Sequence, residues 1–203
     1  MWLNRQDADR MIEEGRAALV SGLKGRAAIL SEILAGDDWS FVIKAAALAE
    51  AVLTDTIVAH LGEEKLRRLI KRLPLFGEQG SKVSVATDLG IVSKEQRRFI
   101  QKVAELRNKI AHGIDEIGFN FGYYISSADE KTLKSWQDAI VWFPVEGTAR
   151  EEWRKIAIRQ PRAGLQMALF QLIAQLTIDQ SDTETKRKVE AVAIRTTTEL
   201  LGS

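Results

Sequence analysis

Only three prolines interrupt the 203 residues, at Pro74, Pro144 and Pro161. Proline is poorly tolerated inside a helix because its ring removes a backbone donor and clashes with the preceding turn, so the proline-free stretches are open to long helices. Their apolar residues recur mostly at spacings of three and four rather than two, the period of a helix with one buried face. An all-α helical bundle is the expected fold class. Hydrophobic residues make up 45% and charged residues 28% of the chain, a balance that supplies one substantial core. A single domain over 1–203 is expected, built from a leading helical hairpin (1–36), motif-bearing helices (37–113) and C-terminal helices (114–203).

Local signals divide the chain. Gly22, Gly25 and Gly36 bound two leading helices, Gln6 to Val20 and Gly25 to Leu34. Asp37 or Asp38 caps a long third helix that ends near Gly62, because a carboxylate accepts from the free amides of a first turn. Glu63 to Arg72 reads as a short basic helix stopped by Pro74, followed by a loop from Leu75 to Ser81 and a short helix from Val83 to Leu89. Ser93 with Gln96 forms a capping box for a helix running from Lys94 to His112, and Gly113 is its natural C′ residue. The glycine- and aromatic-rich segment 114–125 lacks a helical period and is expected to be a loop or a small hairpin insertion. Helices resume over Asp129 to Ile140, Ala149 to Ile158, Pro161 to Ile178 and Thr183 to Leu201.

Several function classes are set aside at once. The most apolar stretch, Phe41 to Leu61, carries Lys44, Glu50, Asp55 and His60, so it reads as a core helix and not a membrane span. Met1 to Arg10 lacks the apolar core of a secretory signal and is expected to begin the fold. With no cysteine in the chain, disulfides and thiolate metal sites are excluded, and a cytoplasmic location is expected. No Gly-rich phosphate loop, His-Glu-x-x-His, EF-hand or Gly-x-Ser-x-Gly pattern occurs, so no metal or cofactor is expected.

What stands out is a cluster at the end of the Lys94 to His112 helix. Phe99, Val103, Leu106 and Ile110 are spaced by four, three and four and form its core stripe. At about 100° per residue, Arg107 lies at the edge of that stripe, while Asn108 and His112 stand one above the other on the far side. They flank Ala104 and Ala111, small residues that let another backbone approach. The chain has only two histidines, His60 and His112, and cleavage of RNA through its 2′-hydroxyl needs one group to take a proton and another to give one. Two protomers meeting at this face supply two His112 side chains. In that picture His112 is the acid or base, Arg107 binds phosphate and Asn108 orients the site. The same spacing also arises by chance, with His112 capping carbonyls and Arg107 pairing with a carboxylate.

The segment from Asp88 to Gly113, a Gly90-Ile91-Val92 turn before a helix closing in Arg107-Asn108-x-x-Ala111-His112, resembles HEPN proteins, in particular their mannitol-operon repressor-like branch. Gln160-Pro161-Arg162 through Met167, and the helix from Asp38 to Leu61, are similar to segments of that branch, so the resemblance spans roughly half the chain. It implies a HEPN-like helical bundle, frequent homodimerisation, and Arg107, Asn108 and His112 as the motif residues. The resemblance implies either of two activities. One is metal-independent endoribonuclease action, as a toxin or stress effector held in check by an antitoxin-like protein partner. The other is non-catalytic regulation through protein contacts, as in the repressor-like branch.

Charge is segregated: between Glu63 and Gly113 there are twelve Lys and Arg against six Asp and Glu, in a chain of net charge +1. Arg97, Arg98, Lys102 and Lys109 on the motif helix are the RNA-binding candidates, although a solvated basic surface has the same composition. Glu50, in an otherwise apolar helix, either has a cationic partner, with Arg107 the candidate, or lies at the bundle surface. Trp136, Trp142 and Trp153 are expected to pack rather than stack bases, and His60 to cap or pack.

Overall fold

The computed structural model describes residues 36–112 and 118–201, together with positions 17, 20–22, 24, 25, 28 and 32. The leading hairpin expected over 1–36 therefore lies almost wholly outside the described residues, as does Gly113. Among those described the fold is all-helical, with no strand.

At its centre is α1, Asp38–Leu61. Asp37 caps it by accepting from the Ser40 amide at 2.7 Å. Gly62 ends it at φ 73°, its N–H donating to the Val58 carbonyl, a left-handed turn that glycine takes without a Cβ penalty. Buried residues lie on most sides of α1, among them Phe41, Ala45, Leu48, Val52, Leu53 and Ile57, so it is a core helix surrounded by others and not a one-sided surface helix. Among the described residues no helix is long and apolar enough to cross a membrane.

The basic stretch after Gly62 is a 3-10 turn, Glu64–Leu66, leading into α2, Arg67–Arg72. Leu73 is extended, as a residue before proline prefers, and the Pro74 and Leu75 carbonyls accept from the amides of Lys82 and Val83. That suspends the 73–76 segment from α3, Lys82–Asp88. The motif helix is α4, Lys94–Ala111, with both arms of the Ser93–Gln96 capping box formed.

Two expectations are corrected. The 114–125 insertion is no hairpin where it is described: Phe121–Ser126 is a short helix, α5. Its first-turn amides find side-chain acceptors, Asn120 for Tyr123 and Asp38 for Phe121, and Phe121 and Ile125, four apart, are its buried face. The aromatic run hid that period.

After α6, Glu130–Ile140, and α7, Gly147–Arg159, the chain runs through one 41-residue helix, α8, Pro161–Leu201, where two helices were expected. The polar stretch around Asp179–Thr183 contains neither glycine nor proline, and Thr177, Thr185 and the Gln180–Glu184 pair bond within the helix. Polarity alone does not stop a helix. At about 60 Å, α8 lies against α1 from its first turn to Arg187, which donates to the His60 carbonyl beside Gly62.

The buried side chains of these helices form one continuous core. Trp136 is fully buried and donates to the Ala157 carbonyl at 2.8 Å. Trp142 and Trp153 pack against Phe99 and Phe143 respectively, so all three tryptophans are packing residues.

Candidate functional site

The stripe Phe99, Val103, Leu106 and Ile110 on α4 is buried, which fixes the rotation of the motif helix and puts Arg107, Asn108 and His112 in solvent. Arg107 Nη1 donates to Asn108 Oδ1 at 2.9 Å. Both side chains, with the small Ala104 between them, line a cavity of about 390 Å³ between α4, α1 and the 71–76 segment. Ile43, Ala46, Ala47 and Phe76 give this cleft an apolar floor, and the exposed Lys71 and Arg72 join Arg107 at its rim.

Glu50 also faces the cleft, but its partner is Lys82 rather than the predicted Arg107: Lys82 Nζ lies 2.6 Å from Glu50 Oε1. Lys82 is only 1% exposed and also donates to the carbonyls of Lys71 and Leu73, so all three ammonium protons are used. A sequence signal for this existed. Lys82 is the first residue of α3, and a cation is disfavoured at a helix amino terminus unless another interaction holds it there. With Glu50 neutralised, the cleft presents Lys71, Arg72 and Arg107 without an opposing free anion, which favours an anionic ligand.

His112 is the C-cap residue of α4 and is exposed, but it does not line the cleft. Five residues separate it from Arg107, roughly 140° around the helix, so the two side chains of one chain stand on different walls. The nearby Ile110 carbonyl is taken by Trp39 Nε1 at 3.1 Å.

The four RNA-binding candidates also divide. Arg97 lies over the Phe76 ring on the cleft side, 6.0 Å from its centroid. Arg98, Lys102 and Lys109 follow the opposite flank, at intervals of four and seven residues. There Lys102 pairs with Glu105 at 3.0 Å, and Lys109 sits over Tyr124, 5.5 Å from its centroid. Burial pushes the Tyr124 hydroxyl above its ordinary pKa. This flank's aromatic residues fall in the segment expected to be irregular, so no helical period in the sequence marks them as one face.

Arg162, in the Pro-Arg segment singled out above, is a structural clasp. Its guanidinium donates to Asp38 at 3.0 Å and to the Gly36 carbonyl, and stacks on Phe41, fixing the start of α8 to the start of α1. Gly164 continues the close approach: a Cβ there would come within 3.1 Å of the Ala157 backbone. Among the described residues no group of three His, Asp or Glu is placed to hold a metal.

No family model, curated protein or solved structure matches the chain.

Proposed function

We propose that this chain is a HEPN-like ribonuclease whose site is completed by a second copy. The observation that carries the reading is the Arg107–Asn108 pair on the wall of a cationic cleft, with His112 exposed just outside it on the same helix. Within one chain no imidazole faces this cleft, and the Glu50 carboxylate there is held by Lys82; a twofold arrangement of α4 helices brings the partner copy's histidine to it.

In the reaction, one imidazole takes the proton of an RNA 2′-hydroxyl, whose oxygen attacks the adjacent phosphorus. The P–O5′ bond breaks, the second imidazole protonates the leaving 5′-oxygen, and the products are a 2′,3′-cyclic phosphate and a 5′-hydroxyl. Arg107 balances charge on the pentacoordinate phosphorus and Asn108 holds the guanidinium in place. A protein partner that covers the cleft restrains the activity.

The test incubates purified protein of confirmed oligomeric state with mixed single-stranded and structured RNA in EDTA. Arg107→Ala and His112→Ala should each lower cleavage by about 10²–10⁴-fold without changing helical content or assembly. Mixing wild type with an excess of His112→Ala protein should lower cleavage further than dilution alone, because each mixed dimer then carries one His112 where the reaction uses two. Absence of cleavage by the wild-type dimer overturns the reading in favour of a regulator acting through protein contacts.

A further inference from the structure

On the flank of α4 away from the cleft lies a second recess, of about 330 Å³, whose walls include Lys109, Phe119, Asn120, Tyr123 and Tyr124. Phe119 and Tyr124 pack on each other with centroids 5.9 Å apart, and Tyr124 is braced against the buried Trp136 at 5.7 Å. The wall is therefore packed onto the core. Tyr123, the next residue around α5, is 76% exposed, and no ring contact is made by it among the described residues. Asn120 Oδ1 is committed to the Tyr123 amide as the cap of α5, so Asn120 offers a ligand its NH₂ donor. Lys109 stands at the mouth over Tyr124. Arg98 is exposed on the same flank about 16 Å back along the helix axis, and His112 lies about one turn beyond Lys109.

We propose that this recess is a nucleobase-stacking subsite for single-stranded RNA, with the Tyr123 ring as the platform, the Asn120 amide reading an acceptor on the base edge, Lys109 holding the adjacent phosphate, and Arg98 a phosphate further along the strand. A flat, sequence-tolerant aromatic surface beside exposed cations is the arrangement by which single strands are bound. A paired base cannot enter, because its face is already stacked and its edge already bonded. This deepens the reading of the chain as RNA-binding and rests on it, but not on cleavage. It places one unstacked base beside His112, so the scissile phosphate is selected in an unpaired segment.

The measurement is fluorescence anisotropy of a labelled single-stranded oligoribonucleotide and of the same strand in a duplex, against the full chain. Wild type should prefer the single strand. Tyr123→Ala should weaken that binding about tenfold, the contribution of one stacked base, while Tyr123→Trp preserves it and binding to duplex is unaffected by either change. In cleavage assays Tyr123→Ala should raise KM and leave kcat near wild type. Tyr123-dependent binding by a protein that does not cleave supports the subsite and overturns only the catalytic reading. Equal affinity of Tyr123→Ala and wild type for the single strand overturns the subsite, leaving the cleft reading intact. Failure of wild type to bind either RNA overturns both.

Discussion

A lysine ammonium has three donors, and Lys82 uses all of them inside the protein: on Glu50 of α1 and on the Lys71 and Leu73 carbonyls at the end of α2. Those carbonyls belong to the carboxyl end of a helix, where a cation is favoured, so this one side chain ties α1, α2 and α3 behind the cleft. Replacing Lys82 with Met keeps most of the aliphatic stem but leaves Glu50 without its counter-charge and two carbonyls unbonded. Glu50 is 41% exposed, and water can reach it, which reduces the cost below that of a fully buried broken pair. A loss of about 2–3 kcal/mol is expected in urea unfolding. Glu50→Gln keeps an acceptor for the ammonium and should cost about 1 kcal/mol. The double variant should lose less than the sum, since the two residues share one interaction. Additive losses, or Lys82→Met within about 0.5 kcal/mol of wild type, would show that the clasp is not structural. The same pair explains why Arg107 remains available to a ligand: the carboxylate that sequence reading assigned to it is already occupied.

Helix starts were the elements most legible in the sequence, because a cap is a short-range event. Asp37 and Asp129 accept the amides of Ser40 and Thr132 at 2.7 Å each, and both carboxyls are held below their ordinary range. For Asp37 the main cause is the Ser40 amide; for Asp129 it is the Thr132 hydroxyl, with the Thr132 amide next. A folded-state pKa below the unfolded one contributes stability above the ordinary aspartate value of 3.8, and that contribution disappears as pH falls through the folded value. Asparagine caps about as well as aspartate but does not titrate. An Asp37→Asn, Asp129→Asn protein should therefore keep its neutral-pH Tm closely and show a shallower fall of Tm below about pH 4; an unchanged acid limb would remove these carboxylates as its cause. The same locality explains the errors. The α5 helix depends on Asp38, far away in sequence, accepting the Phe121 amide, and no window around Phe121 contains that acceptor. The continuity of α8 was legible, since no helix breaker lies between Gly164 and Gly202; the polar residues Asp179 to Thr183 interrupt the apolar period without ending the helix.

For the whole molecule, a net charge of +1 conceals two cationic regions on opposite flanks of one helix. The sequence showed the excess of Lys and Arg between Glu63 and Gly113 without showing which charges the fold neutralises. Lys82 is buried on Glu50, Arg67 pairs with Asp55 and Glu64, and Lys102 pairs with Glu105. Beside the motif the residual field includes Lys71, Arg72 and Arg107 at the cleft and Arg98 and Lys109 on the other flank, two surfaces separated by the outer face that carries Asn108 and His112. A single strand that crosses this face meets cations on both sides of the motif. Each phosphate neutralised on a single strand contributes about −0.7 to the slope of log K against log salt. Lys71→Ala with Arg72→Ala should therefore make the slope shallower by about 1.4 and weaken every RNA sequence alike. Tyr123→Ala should weaken binding with no change of slope, because stacking releases no counterion. A titration of wild type and both variants across a range of salt concentrations separates the two contributions. If the Lys71, Arg72 variant keeps the wild-type slope, RNA does not pass through the cleft, and the cationic rim around Arg107 serves some other anion.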